Sequence, residues 1–436
     1  MSKGLELYKK AKKLIPGGTQ LLSKRPEMFL PELWPSYYSK CKGVEVTDLD
    51  GSVYIDMSIN GVGACILGAG DPDVDNAVIE AIKKGTMSTL NAPEEVELAE
   101  LLIELHPWAE MVRFARTGGE ALTIAIRIAR AATGRDKIVF CGYHGWHDWY
   151  LSANLANERN LDGQLLPGLE PAGVPRSLKG TALPFEYNKP EQLDGIVEES
   201  GNEIAAIIME PVRHDEPKEG FLKYVRDVAT KIGAVLIYDE VTSGWRMNVG
   251  GIHLLYGVNP DMAVFGKAMS NGYPMGAVIG KREIMNAAQR SFISSTYWTE
   301  RIGPVAALAT IKKLQSHNVP EYLIRVGNEV RNIWKEIANN YGLKIEIHGI
   351  PPLSILSFNY PNNQAIATLF TQEMLEKSFL ASKAFYATFA HKDEHIDKYA
   401  EAVNDVFRLI SEAISNNTIE KKLKGPIAHS GFRRLA

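Results

Sequence analysis

One apolar run of this chain ends in Tyr238-Asp239-Glu240-Val241, and a second, Met262 to Phe265, leads into Gly266-Lys267-Ala268-Met269-Ser270-Asn271-Gly272. A lysine amine can form a Schiff base with an aldehyde, and a buried carboxylate can keep a pyridine nitrogen protonated so that the ring accepts electrons. Pyridoxal phosphate (PLP) chemistry needs that pair. A lysine leaving an apolar strand can equally be a surface residue with a buried stem, so the other motifs must decide.

Four stand out. Arg116-Thr117-Gly118-Gly119-Glu120-Ala121 follows the apolar Met111–Ala115 and opens a helical pattern that runs to Ala132 and is closed by Gly134. Two glycines and a hydroxyl at a helix start can offer unpaired backbone N–H groups to a phosphate; an ordinary capped helix is the plainer alternative. Cys141-Gly142-Tyr143-His144-Gly145-Trp146-His147 comes just after the strand pattern of Ile138–Phe140. An aromatic there can lie flat on a ring, whereas His144 and His147, without partnering cysteines or carboxylates, do not make a metal site. Ile207-Ile208-Met209-Glu210-Pro211 ends a strand in a carboxylate, which on its own is more simply a solvent-facing acid. Ser294 to Pro304 is rich in hydroxyls and aromatics and reads alone as a polar loop before a helix.

The elements that must hold these residues are short apolar runs alternating with helical stretches: Ile138–Phe140, Ile204–Met209, Ala234–Tyr238, Met262–Phe265 and Ala277–Ile279. Such alternation predicts an α/β fold with a mainly parallel sheet wrapped by helices. Ligands of open α/β sheets bind beyond the carboxyl ends of the strands. The helix start, the aromatic, the carboxylates and the lysine all fall at such ends, and their joint order is more specific than any one of them. Upstream, two alternating runs flank Asp50-Gly51 as a hairpin. Downstream, helices surround Lys344–His348 and Leu353–Tyr360, and a last helix puts Ile396, Tyr399, Val403, Phe407, Ile410 and Ile414 on one face. The expected division is 1–60 in the N-terminal part of a small domain, 61–314 in a large PLP-binding domain, and 315–436 in the C-terminal part of the small α+β domain.

At 436 residues the chain exceeds what one core usually supports. Its net charge of −4, from 48 basic and 52 acidic residues, gives no basis for a nucleic-acid surface. No stretch approaches the roughly 20 apolar residues of a membrane span. Residues 1–18 read as a short amphipathic helix stopped by Pro16-Gly17-Gly18, not as a signal peptide. Three widely spaced cysteines suit a reducing cytoplasm.

These motifs, with Ile15-Pro16-Gly17-Gly18, Gly43 to Gly51, Thr133 to Ile138, Pro260-Asp261-Met262 and Ala390-His391, make the chain resemble the class III (subgroup II) aminotransferases, PLP enzymes of fold type I. Within them it looks closest to the glutamate-1-semialdehyde 2,1-aminomutase branch. The resemblance implies that Lys267 carries the cofactor and shuttles a proton and that Asp239 pairs with the pyridinium nitrogen. It also implies that Val241 and Tyr143 cover the two ring faces and that Glu210 lies at the cofactor's edge. Thr117, Gly118 and Gly119 would cradle the phosphate, and Thr299 would reach the phosphate of a neighbouring subunit in a homodimer with shared sites.

The departures concern the substrate. Val62 stands where that branch has a tryptophan, Leu21 where it has a serine, and Lys24, with Arg25 beside it, where it has an arginine. Trp298-Thr299-Glu300-Arg301 replaces a small Ser-Gly-Asn loop, and the chain is shorter near Ser382–Phe385. The expected activity is therefore transfer of an amino group, through a pyridoxamine phosphate form of the cofactor, from a donor such as L-glutamate to a small oxo acceptor. Arg25, Lys24, Glu300 and Arg301 are the candidate substrate residues, with plain surface charges as the alternative. An aminomutase is the second reading. A non-catalytic PLP-fold protein is the third, and it would ordinarily have lost Lys267 or Asp239.

Overall fold

A computed structural model describes residues 2–164, 167–212 and 215–431. The chain forms two compact units, Pro72–Pro320 and the pair of segments Met1–Asp71 with Glu321–Ala436.

The Pro72–Pro320 unit is built on a seven-stranded sheet. Its strands in chain order are β1 (Met111–Ala115), β2 (Lys137–Cys141), β3 (Ala182–Pro184), β4 (Ile204–Met209), β5 (Val235–Asp239), β6 (Met262–Phe265) and β7 (Gly276–Gly280). Across the sheet the order is β1-β7-β6-β5-β4-β2-β3. The run from β6 to β3 is parallel throughout. Strand β7 is antiparallel to both neighbours. The short link from Phe265 to Gly276 explains this, because a parallel return needs a crossover of roughly a dozen residues or more, usually a helix.

The central strands read as unbroken apolar runs because both of their faces are covered. All six residues of β4 are buried. Ala206 and Ile208 pack in one core with Ile124 and Ile128 of the Gly118–Thr133 helix. Ile207 and Met209 face the other way, into a core with Val225 and Ala229 of the Phe221–Ile232 helix. This is the period-two alternation of a strand between two helical layers. Register aligns the carboxyl ends: Cys141 pairs with Met209, Met209 with Tyr238, and Asp239 with Val264.

The other unit holds two small sheets. Glu45–Asp48 and Val53–Met57 form the expected hairpin around Asp50-Gly51, where Gly51 takes φ +92°, and Tyr38–Lys42 extends it. Phe379–Ala381 joins Val53–Met57 in parallel. Ile345–His348, Leu353–Phe358 and Ala384–Tyr386 form the second sheet. Ile396, Tyr399, Val403, Phe407 and Ile410 are buried along the Asp393–Ser415 helix.

Candidate functional site at the carboxyl edge of the sheet

Strand β5 ends in Asp239, which is only 3% exposed. Its Oδ1 accepts the Val241 N–H at 3.0 Å and its Oδ2 lies 2.8 Å from His144 Nδ1. The other nitrogen of His144, Nε2, donates to the Cys141 carbonyl at 3.1 Å. The loop after β2 thus returns to support the carboxylate at the end of β5. One strand over, Gly266 continues β6 in extended backbone and Lys267 turns into the left-handed region at φ +42°. For a residue with a Cβ this costs about 1–2 kcal/mol, and such outliers cluster at functional positions. The Lys267 amine, Nζ, donates to Thr242 Oγ1 at 2.9 Å.

Thr117 caps the Gly118–Thr133 helix. Its Oγ1 accepts the Glu120 N–H at 3.3 Å, and Glu120 Oε2 takes the N–H groups of Arg116 and Thr117 at 3.1 and 3.0 Å. This reciprocal box leaves the first-turn N–H groups of Gly118 and Gly119, which a helix cannot satisfy itself. A Cβ on Gly118 would sit 3.0 Å from Val241 Cγ1, and one on Gly119 would sit 3.2 Å from the His147 ring. The glycines therefore let the helix start lie close against Val241 and the loop after β2.

On that loop, Tyr143 is partly exposed and its N–H donates to Glu210 Oε2 at 3.1 Å. Glu210, at the end of β4, is itself buried. Gln164 accepts the Gly142 N–H at 2.7 Å, and Tyr150 donates to the Gly142 carbonyl at 2.9 Å. Thr299 is exposed at the end of a short turn, donating to the Thr296 carbonyl at 2.9 Å. Glu300 pairs with Arg116 at 2.8 Å and accepts the N–H groups of Ile302 and Gly303 at 2.7 and 3.0 Å. Arg301 pairs with Glu94 and donates to the Gly85 carbonyl. Lys24 and Arg25 belong to the other unit, where Arg25 packs against Gly17.

Two participants escaped the sequence reading. His144 supports Asp239, and Thr242 holds the lysine. Both sit within three residues of a strand end, which was the only signal available.

The aminotransferase class-III family profile matches residues 32–407. The chain belongs to the class-III aminotransferases. Over 418 residues it is 33% identical to the 3-aminobutyryl-CoA aminotransferase of Cloacimonas acidaminovorans, covering 93% of this chain and 96% of that one. It is 34% identical over 427 residues to the glutamate-1-semialdehyde 2,1-aminomutase of Methanothermobacter thermautotrophicus, covering 93% and 98%. A solved transaminase with PLP bound matches with a TM-score of 0.82 at 27% identity, over 94% of this chain and 98% of the other. FumI of Sphingopyxis sp. MTA144 shares the fold, with a TM-score of 0.86 at 23% identity over 95% and 97%.

As a class-III aminotransferase the chain is a PLP-dependent enzyme of fold type I. The residues present fit that cofactor. An amine, a buried carboxylate and paired first-turn N–H donors are available for its aldehyde, ring nitrogen and phosphate. With glycine at 118 and 119, the first turn of that helix carries no side chain of its own over those N–H groups.

Proposed function

We propose that this aminotransferase takes its amino group from L-glutamate and gives it to a small oxo acceptor, with Lys267 and Asp239 as its catalytic pair. The observation that carries the reading is their placement on adjacent parallel strands, where Asp239 pairs with Val264 and Lys267 follows that strand's end. When bound, PLP supplies an electron sink for charge developing on the substrate carbon. Lys267 Nζ would bind the cofactor covalently and, once the donor's amine has displaced it, would carry the proton from that carbon to the cofactor. Asp239 would hold the proton on the ring nitrogen. Thr117, Gly118 and Gly119 would hold the phosphate, Val241 and Tyr143 the ring faces, and Glu210 the cofactor's edge. Arg25 or Lys24 would hold a substrate carboxylate.

The same reading makes the enzyme a cytoplasmic homodimer in which Thr299 serves the partner subunit's phosphate. Large apolar side chains left exposed support an association surface: Phe292 is 92% exposed, Leu90 82% and Tyr297 71%. Among the described residues no helix is long and apolar enough to cross a membrane.

The aminomutase reading rests on the identity to that branch. A mutase must keep its intermediate between half-reactions and so needs a pocket matched to one molecule. The resemblance matches that branch's active-site tryptophan to Val62, which supports a transaminase over a mutase. A single-turnover assay separates the two. L-Glutamate alone should yield about one equivalent of 2-oxoglutarate per site, as one half-reaction demands. Efficient isomerisation of glutamate-1-semialdehyde without an external donor would make the mutase reading correct. Borohydride reduction and peptide mapping should place the pyridoxyl mass on Lys267; a label on another lysine sinks that assignment.

A further inference from the structure

Thr242 lies on the turn that leaves β5, and that turn is fixed without help from Lys267. The Gly244 N–H donates to the Glu240 carbonyl at 2.9 Å, and Arg246 Nε donates to the Thr242 carbonyl at 2.7 Å. Beneath it, the fully buried Glu240 accepts Ser243 Oγ at 2.6 Å and, on its other oxygen, His253 N and Nδ1 at 3.0 and 2.8 Å. Trp108 Nε1 donates to His253 Nε2 at 3.0 Å. An indole N–H can only donate, so the ring proton of His253 sits on Nδ1 and points at Glu240. Burial works against charge on Glu240, but these hydrogen bonds outweigh it and hold the carboxyl below its ordinary range. The far end of the contact is fixed as well, by the left-handed backbone of Lys267 and the Met269 N–H on the Gly266 carbonyl at 3.1 Å.

We propose that Thr242 is a positioning residue for the reaction: its hydroxyl oxygen receives the Lys267 amine whenever that amine is not covalently engaged. No bond is made or broken in this step; one N–H of Nζ points into a lone pair of Oγ1. The contact works for either protonation state of the amine, since both carry donors. Lysine brings a large rotamer entropy to any ordered task. Docking on the hydroxyl of a residue whose backbone turn is fixed removes part of that search, so cofactor capture and proton delivery start from one place. The proposal rests on Lys267 being the cofactor lysine.

The test compares Thr242→Val, which keeps the shape, with Thr242→Ser, which keeps the hydroxyl, in the full chain freed of cofactor. Competitive acetylation across pH, read on the Lys267 peptide, measures the amine directly. A hydroxyl acceptor favours the ammonium over the neutral amine. Thr242→Val should therefore move the labelling midpoint about one pH unit lower, while Thr242→Ser stays with the native protein. The rate of PLP capture, followed by absorbance, should fall about tenfold in Thr242→Val, as expected for roughly 1.4 kcal/mol of lost positioning, and recover in Thr242→Ser. An unchanged midpoint or native capture rate in Thr242→Val overturns the proposal, as does a serine variant as impaired as the valine one. If Thr242→Val does not fold, Thr242→Ala is read the same way. Reductive trapping of the native enzyme keeps the two claims apart. A pyridoxyl mass on another lysine sinks the reading of Lys267, whereas a mass on Lys267 with an unresponsive Thr242→Val sinks this proposal alone.

Discussion

His144 and Asp239 form a buried pair, 2.8 Å between Nδ1 and Oδ2, with His144 Nε2 anchored on the Cys141 carbonyl. A carbonyl only accepts, so Nε2 carries a hydrogen, while Nδ1 is held against the carboxylate. Removing the ring leaves Oδ2 of a buried carboxylate without that partner, at a cost of about 1–3 kcal/mol. His144→Ala should therefore lower kcat about 10- to 100-fold while most cofactor binding survives on other contacts. Steady-state rates with cofactor titration check this, and native turnover in His144→Ala would contradict the support role.

Asp239→Asn should be harsher. It keeps the shape and one acceptor for the Val241 N–H but removes the charge that favours a protonated ring nitrogen. Proton abstraction should slow far more than cofactor affinity falls, which pre-steady-state kinetics beside equilibrium binding can resolve. Near-native rates would remove Asp239 from its proposed role.

Asp239 and Lys267 were legible in the sequence because fully buried parallel strands are written as unbroken apolar runs, and their ends are therefore visible. The capped helix start at Thr117 was legible for a similar local reason. What could not be read were contacts between distant segments. His144 meets Asp239 only because β2 and β5 flank β4, and Lys267 meets Thr242 only because β5 and β6 are neighbours. Strand β7 was visible as an apolar run, but its direction follows from the short link before it. The charge of Glu300 could be seen, yet its partner, Arg116, lies across the fold.

That partnership makes Glu300 a sharp test. Both side chains are largely buried, and Glu300 also takes the first N–H groups of the Ile302–Ser316 helix. Breaking a buried pair from one side costs up to about 3–5 kcal/mol, less here because each group keeps some exposure. Glu300→Ala should lower Tm by several degrees with little change in acceptor KM. A raised KM at unchanged Tm would instead give Glu300 a direct hold on substrate.

Gly142 should resist substitution for two separable reasons. Its φ of +113° disfavours any side chain, and a Cβ would lie 2.5 Å from Glu210 Oε2. Gly142→Ala is expected to cost about 1–3 kcal/mol and to displace the carboxylate that holds the Tyr143 N–H. Adding Glu210→Ala removes the clash but not the backbone strain. The double-mutant cycle should show a coupling of at least about 0.5 kcal/mol, and strict additivity of the two losses would refute the clash.

Acid stability should be set by a contest among buried groups. Burial pushes His106 and His391 from 6.5 down to about 4. Each accepts a backbone N–H on one ring nitrogen and faces a carbonyl with the other, His391 donating to the Asp56 carbonyl at 3.0 Å. Between pH 6.5 and 4 the unfolded chain binds these two protons and the folded one does not, so their contribution to stability is lost as pH falls through that window. Asp56 opposes them, because burial raises its carboxyl from 3.8 to about 6 and the folded state then holds the extra proton. His147 and His395, half-buried, lean with the first two. On these histidines the folded chain binds fewer protons than the unfolded one, so they favour a loss of stability on acidification. Asp56→Asn keeps the carbonyl under His391 and the acceptor for Ser58 N–H but deletes the opposing titration. Urea melts between pH 6 and 4.5 should therefore steepen by about one proton in Asp56→Asn, and a slope that is flatter or unchanged would show that Asp56 does not hold that proton in the folded enzyme.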